Sequence, residues 1–264
     1  MAKLDRPGTA WITGASSGIG RALALALAKR GWTVAVSARG ADGLEALAEE
    51  DAEGRIVPFP VDITKPRNVE TLVTNLEERL GPIDLAILNA GTHIPVSAHD
   101  FSRKDVATLI ETNLIGSVNC LGALIPRFVK RRGGEIAVVA SMTGYRGLPT
   151  SAGYGATKAG LINMAEALKP ELELHDVSIR LINPGFVDTP LTRKNPFPMP
   201  FLTPVDKAAE VILRKLGGRR FEITVPWQMT IFLKLLRIVP NGLAFAVTRR
   251  ITPAPEESGE KANA

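Results

Sequence analysis

Thr13-Gly14-Ala15-Ser16-Ser17-Gly18-Ile19-Gly20 stands between a short run rich in strand formers, residues 9–13, and an alanine- and leucine-rich helical segment, 19–30, closed by Gly31. Gly14 and Gly18 let the backbone come close to a pyrophosphate, and Gly20 lets the helix pack on the sheet. The helix N-terminus adds amide donors and a favourable dipole, with Ser16, Ser17 and Ile19 at the same turn. A glycine-rich turn alone also fits a tight strand-to-helix junction with no ligand. Its place at the first such junction of a repeating pattern is what points to a nucleotide.

Working outward, further strands are predicted at 33–37, 55–60, 83–88, 135–140, 178–182 and 221–225. Between them lie helical segments at 43–51, 66–80, 103–129, 154–174 and 204–216, each long enough for a right-handed crossover. This alternation predicts an α/β fold, a doubly wound seven-stranded parallel sheet with helices on both faces. No linker divides the chain before Pro226, so one domain is expected over 1–225, a helical extension over 226–251 and a disordered tail over 252–264.

The 264 residues are 45% hydrophobic and 22% charged, which excludes wholesale disorder and collagen. The single cysteine, Cys120, cannot form an internal disulfide, and His93, His99 and His175 are too scattered for a metal cluster. Both fit a reducing, cytoplasmic setting, and no apolar leader precedes the first motif. The net charge of +5 is concentrated late: Arg214, Lys215, Arg219, Arg220, Lys234, Arg237, Arg249 and Arg250 face only Glu222. The interleaved Trp, Phe and Leu favour a membrane or protein face there over nucleic acid.

The end of the second strand reads Ser37-Ala38-Arg39. An acid at this place would accept from a ribose, whereas a base accommodates a 2′-phosphate, so Arg39 favours NADP(H) over NAD(H). Asp62, followed by Ile63, either accepts from an adenine amino group or caps the next helix. Tyr154 and Lys158 are one helical turn apart on one face, so the ammonium is expected to pull the phenol pKa down and make a general acid/base. Ser141 closes the fifth strand, where ligands of open α/β sheets bind, and can polarise a carbonyl oxygen. Asn89-Ala90-Gly91 closes the fourth strand. Asn113 interrupts an apolar helix, where it needs a water or a backbone carbonyl as partner. Each residue has an ordinary alternative: an interface tyrosine, a surface lysine, a strand-end cap, a helix kink. Their joint occurrence in this order favours chemistry.

Thr13–Gly20, Asn89-Ala90-Gly91, Asn113, Ser141, Tyr154-x-x-x-Lys158 and Asn183-Pro184-Gly185 together resemble the short-chain dehydrogenase/reductase family over about residues 8–225. The resemblance implies a Rossmann fold and hydride transfer between nicotinamide and a carbonyl or secondary alcohol. Tyr154 would protonate the carbonyl oxygen and Ser141 would orient it. Lys158 would hold the nicotinamide ribose and Asn113 a relay water, with Pro184, Gly185, Val187 and Thr189 lining the nicotinamide. The two long helices would form a homodimer, and the segment 190–204, with Phe197, Met199, Phe201 and Leu202, would be a lid for a lipophilic substrate. A catalytically idle nucleotide sensor is the rival reading.

Residues 226–251 continue past the last strand as two apolar helices, started by Pro226, interrupted by Pro240 and restarted with Asn241 as cap. Lys234 and Arg237 leave too little uninterrupted length for a span. A peripheral membrane contact, a subunit contact and a flap over the substrate remain as alternatives.

Overall fold

The structure is a computed structural model that describes residues 6–194, 199–216 and 218–252. Phe197 and the tail 253–264 lie outside the described residues. The seven parallel strands are β1 (Thr9–Thr13), β2 (Thr33–Ser37), β3 (Ile56–Pro58), β4 (Ile83–Leu88), β5 (Glu135–Val139), β6 (Ser178–Pro184) and β7 (Glu222–Val225), in the order β3-β2-β1-β4-β5-β6-β7. The chain reverses direction across the sheet between β1 and β4, the topological switch point at which open α/β sheets bind ligands.

Period-two alternation along the strands builds two cores. Ala10 and Ile12 of β1 point to one face, where α1 (Gly18–Ala28), α2 (Asp42–Glu49) and α7 (Val205–Leu216) pack through Leu23, Leu27, Leu44, Leu47 and Ile212. Trp11 points to the other, against α3 (Pro66–Leu80), α5 (Gly116–Arg131) and α6 (Ala152–Glu173). Central strands buried on both faces read as continuous apolar runs, which is why they were legible. The strand predicted at 55–60 is shorter, and that at 178–182 runs on to Pro184.

The helix expected at 103–129 is one rod in three parts. α4 (Arg103–Leu109) passes into a π-helical turn, Ile110–Ile115, and then α5. Arg103–Arg131 is long and apolar enough by composition to cross a membrane. The fold uses it as a core helix, with Leu109, Cys120, Leu124 and Phe128 buried. Burial raises the Cys120 thiol to about 12, so it serves as a small apolar side chain.

The extension forms α8 (Trp227–Ile238) and α9 (Asn241–Arg250). Leu233, Leu236 and Ala244 join the α3/α5/α6 core. Asn241 does not cap α9, since Pro240 holds that position; its side chain instead accepts from Arg146 at 2.8 Å. Glu222 on β7 collects Tyr145, Lys234 of α8 and Asn183 (2.8 Å). Burial would raise its pKa, but these hydrogen bonds bring it below the ordinary value.

Beneath the sheet, Arg180 of β6 pairs with Glu135 of β5 at 2.8 Å, the two side chains 5% and 1% exposed. The same guanidinium donates to the carbonyls of Arg220 (2.7 Å) and Gly218 (2.6 Å), so one cation ties β5 to the connection entering β7. Breaking such a pair leaves a buried charge, whereas replacing both partners with apolar groups removes the desolvation cost as well. Arg180→Met is therefore expected to cost about 3–5 kcal/mol in urea unfolding, and Glu135→Leu/Arg180→Met to recover most of it. A single variant as stable as the parent would show that the pair does not hold β5 to β7.

Candidate active site

A cleft of about 640 Å³ opens at the C-terminal ends of β1, β2 and β4, walled by Gly14, Ser16, Ser17, Gly18, Ile19, Arg39, Asp62, Ile63, Asn89, Ala90, Gly91 and Thr189. Gly14 has φ +67°, and a Cβ on it would lie 2.7 Å from the Ala90 Cα. Only glycine fits there. Asn89 fixes the turn, donating from Nδ2 to the carbonyls of Thr13 (3.1 Å) and Gly14 (3.0 Å), while its own amide and that of Ala90 donate to Thr13 Oγ1. A Cβ on Gly20 would come within 2.5 Å of both Asn89 Nδ2 and the Gly14 carbonyl oxygen. Asn89 thus braces the turn as well as lining the cleft.

The residues fit an anionic dinucleotide. The first turn of α1 has no side-chain cap and no acid, so its amide donors are left for a ligand at the cleft wall. Thr189 stands over it, its Cγ2 3.2 Å from where a Gly18 Cβ would be. Arg39 is exposed at the rim. Asp62 Oδ1 accepts from the Thr64 amide (3.0 Å) and hydroxyl (2.9 Å), which, with Lys65 and Arg39 nearby, holds its carboxyl below the ordinary value. It closes the turn before α3 from a position in the cleft wall.

Deeper in, a cavity of about 100 Å³ shares Ile19, Asn89, Gly91 and Thr189 with the cleft and adds Ser141, Tyr154, Lys158, Pro184, Gly185 and Val187. Tyr154 and Lys158 come from the first two turns of α6 and Ser141 from just past the end of β5, so the two elements meet at this cavity. Lys158 is 3% exposed, and its Nζ donates to the Val139 carbonyl at 2.9 Å and stands 5.6 Å from the Tyr154 ring centroid. Burial brings the Lys158 ammonium down to about 8 and pushes the Tyr154 phenol up to about 12, the latter opposed by hydrogen bonding with Ser141. This corrects the sequence expectation of a depressed phenol: desolvation of the buried hydroxyl is the larger effect, and the Lys158 ammonium is itself desolvated and bound to the Val139 carbonyl. Ser141 also caps the short helical turn at Met142–Gly144, accepting from the Thr143 amide at 3.2 Å.

Asn113 lies in the π turn, fully buried. Its Oδ1 accepts from the Thr92 amide (2.7 Å), and its Nδ2 donates to the Thr92 carbonyl (2.9 Å) and Thr157 Oγ1 (3.2 Å). The partner it needed is a backbone carbonyl, and the pair locks the loop after β4 to α6. Such π turns are frequent at functional sites.

A third cavity, about 70 Å³, adjoins Ser141 and Tyr154 and is walled by His93, Met142, Thr143, Ser151, Phe186, Leu191 and Met229 among others. The sequence reading missed His93, Thr143 and Met229 as site residues. His93 follows Gly91 by two positions, a usable signal; Met229 comes from the extension, one of whose expected alternatives was a flap over the substrate. Of the residues expected in the lid, Phe201 and Leu202 do not wall this cavity, being 56% and 43% exposed, whereas Leu191 of the same segment does.

The sequence profile described as short chain dehydrogenase matches residues 8–197. An oxidoreductase of Myxococcus xanthus, named as uncharacterized, is 37% identical over 245 residues, covering 92% of this chain and 97% of that protein. The 3-oxoacyl-[acyl-carrier-protein] reductase FabG of Thermotoga maritima is 31% identical over 212 residues, covering 80% and 82%. Among solved structures, a variant of actinorhodin polyketide ketoreductase with NADPH superposes with a TM-score of 0.78 at 26% identity, covering 87% of this chain and 99% of that one. The uncapped glycine turn, the Ser141, Tyr154 and Lys158 cluster and these likenesses agree, and the chain belongs to the short-chain dehydrogenase family of nicotinamide-dependent oxidoreductases.

Proposed function

We propose that the protein is an NADPH-dependent reductase of lipophilic ketones, with Ser141, Tyr154, Lys158 and Asn113 as its catalytic set. The observation that carries the reading is the convergence of Ser141, Tyr154 and Lys158 on one cavity continuous with the dinucleotide cleft. When bound, the nicotinamide supplies the hydride. The chain's own part is to bind the ketone oxygen between the Ser141 and Tyr154 hydroxyls and to deliver the Tyr154 proton to it. A phenol held near 12 is protonated at working pH, the state that reduction requires. The Lys158 ammonium, charged below about 8, offsets the negative charge left on the tyrosine. Asn113 positions the Thr92 loop beside this pair. The intact cluster favours this over an idle sensor.

NADPH is favoured by Arg39 at the rim of the cleft, where Ser37-Ala38-Arg39 offers no acid to a ribose. A lipophilic substrate is favoured by Met142, Phe186, Leu191 and Met229 in the third cavity. A homodimer is favoured by the helices 103–131 and 152–173, the first leaving Ile110, Ile115 and Val118 exposed. A cytoplasmic setting fits Cys120 as the one cysteine.

We propose also a peripheral contact of 226–251 with an anionic membrane face. Trp227, Ile231, Leu235 and Ile238 form an outward stripe on α8, each more than half exposed, with Phe232, Leu243, Phe245 and Ile251 exposed beside them. Every charged residue from 226 to 252 is basic: Lys234, Arg237, Arg249 and Arg250. That pairing of apolar face and cationic rim suits an interface with anionic lipid.

Tyr154→Phe is expected to lower ketone reduction about 10²–10⁴-fold while NADPH titration by fluorescence stays within a few-fold. In the parent, kcat/KM should fall above about pH 8 as Lys158 loses its charge, and Lys158→Arg should move that limb upward. Full activity in Tyr154→Phe would end the mechanism. Arg39→Ala should weaken NADPH on the order of tenfold, the worth of one charge-assisted hydrogen bond, and NADH far less; equal losses would remove the assignment of NADP. The intact protein should sediment with phosphatidylglycerol vesicles but not with phosphatidylcholine ones, and Leu235→Glu/Ile238→Glu should abolish it. Failure of the parent to sediment, or a salt-insensitive dimer built through that stripe, would refute the membrane contact.

A further inference from the structure

Ser141 opens a short segment, residues 141–146, that is held by α6 and by the extension. Within the segment, Ser141 Oγ accepts from the Thr143 amide at 3.2 Å, the Ser141 carbonyl from the Gly144 amide at 3.0 Å and the Met142 carbonyl from the Tyr145 amide at 3.1 Å. It packs closely on α6, since a Cβ on Gly144 would stand 2.8 Å from the carbonyl carbon of Lys158. Met142, Tyr145 and Arg146 all meet the extension. Met142 Sδ lies 3.9 Å from Thr230 Oγ1 of α8. The Arg146 guanidinium donates to Asn241 of α9 at 2.8 Å and lies 5.5 Å from the Phe245 ring centroid. Tyr145 is buried, its hydroxyl donating to Glu222 Oε1 on β7 and accepting from Asn183 Nδ2 at 3.0 Å. The second oxygen of Glu222 takes the Lys234 ammonium of α8, which also stands 5.5 Å from the Tyr145 ring centroid. Burial first and the Glu222 carboxylate second hold the Tyr145 phenol well above its ordinary value, so it remains the donor in this chain of contacts.

We propose that Lys234, Glu222 and Tyr145 are positioning residues for the reduction, through which the extension sets where Ser141 stands relative to Tyr154. This rests on the ketone-reduction reading. A hydroxyl that shares the ketone oxygen with a second hydroxyl has little tolerance in its place, and a displacement of about 1 Å costs on the order of 10²-fold in rate. Groups carried on loops are placed less exactly than groups on helices or strands unless neighbours fix them. Tyr154 and Lys158 stand on α6 itself, whereas Ser141 lies just past β5 and depends on what holds its segment. Lys234 is half exposed, so its ion pair adds little to stability. What it supplies is the place of the Glu222 carboxylate, and through it that of Tyr145.

The test follows reduction of 2-octanone by NADPH in the full chain without vesicles. Lys234→Met should lower kcat about tenfold with KM within about twofold, because the serine acts in the transition state, and Lys234→Arg should restore it. Tyr145→Phe, which removes the hydroxyl at the other end of the Glu222 contact, should do the same. In a Ser141→Ala background, Lys234→Met should change kcat less than about twofold, since no serine is left to misplace. A purely structural role would instead multiply the two losses. An NADPH dissociation constant and a urea midpoint equal to the parent's report that each variant is folded. A kcat at the parent value in Lys234→Met and Tyr145→Phe, an arginine variant as slow as the methionine one, or losses that multiply with Ser141→Ala would overturn the positioning role. A parent that does not reduce 2-octanone would overturn the reductase reading, and the positioning role with it.

Discussion

The close approach of Gly14 to Ala90 is the constraint on which the site depends. It draws the ends of β1 and β4 together at the switch point, and the backbone carbonyls of Thr13 and Gly14 are consumed by Asn89. With those acceptors satisfied inside the fold, the first turn of α1 is left at the cleft wall with no side-chain cap among the described residues and no competing acid. One asparagine, one threonine hydroxyl and three glycines therefore determine both where the sheet splits and what charge the split accepts. A side chain at Gly14 would meet backbone, which cannot yield as a flexible side chain can.

The same logic of spent partners orders the deeper cavity. Asn113 engages both backbone groups of Thr92 and the hydroxyl of Thr157, so the loop after β4, the π turn and α6 share one buried polar network. His93, next along that loop, is thereby held against Tyr154. Within the pocket, burial opposes the charged forms of Lys158 and Tyr154, and it opposes them in opposite directions on the pH scale. Lysine gives up its proton before tyrosine does, so the protein by itself stores an acid rather than a phenolate. Ordinary ion-pair reasoning from spacing alone reaches the other answer because it counts the neighbour's charge and leaves out the loss of water.

The sheet, its faces and most of the site were legible because they rest on local rules. Gly14, Gly18 and Gly20 have positional meaning wherever they stand, and Tyr154 and Lys158 are neighbours on a helix by its period alone. Less visible were features made by contacts distant in sequence. The π turn at 110–115 leaves no mark on an apolar periodicity. Asn89 reads as a cleft residue until its amide is seen bonded to the turn 75 residues earlier. Phe201 and Leu202 are apolar, and nothing in the sequence says that they are left exposed. Met229 belongs to a helix whose docking depends on Leu233 and Leu236 joining a core built from distant elements.

The extension joins two surfaces that are otherwise separate. Its inner side places Met229 in the wall of the third cavity, with the Met229 sulfur close enough to Gly185 that a Cβ there would stand 2.8 Å away. Its outer side carries Trp227 and Ile231, within one helical turn of the same methionine. Lys234 then fastens the helix to Glu222 on β7, so that α8 is held at the cavity end and its middle while its outward stripe has no cover among the described residues. Whatever covers that stripe acts on a helix that also walls the third cavity. Occupancy outside and the shape of that cavity inside are then properties of one element, and the apolar character of both follows from a single run of sequence.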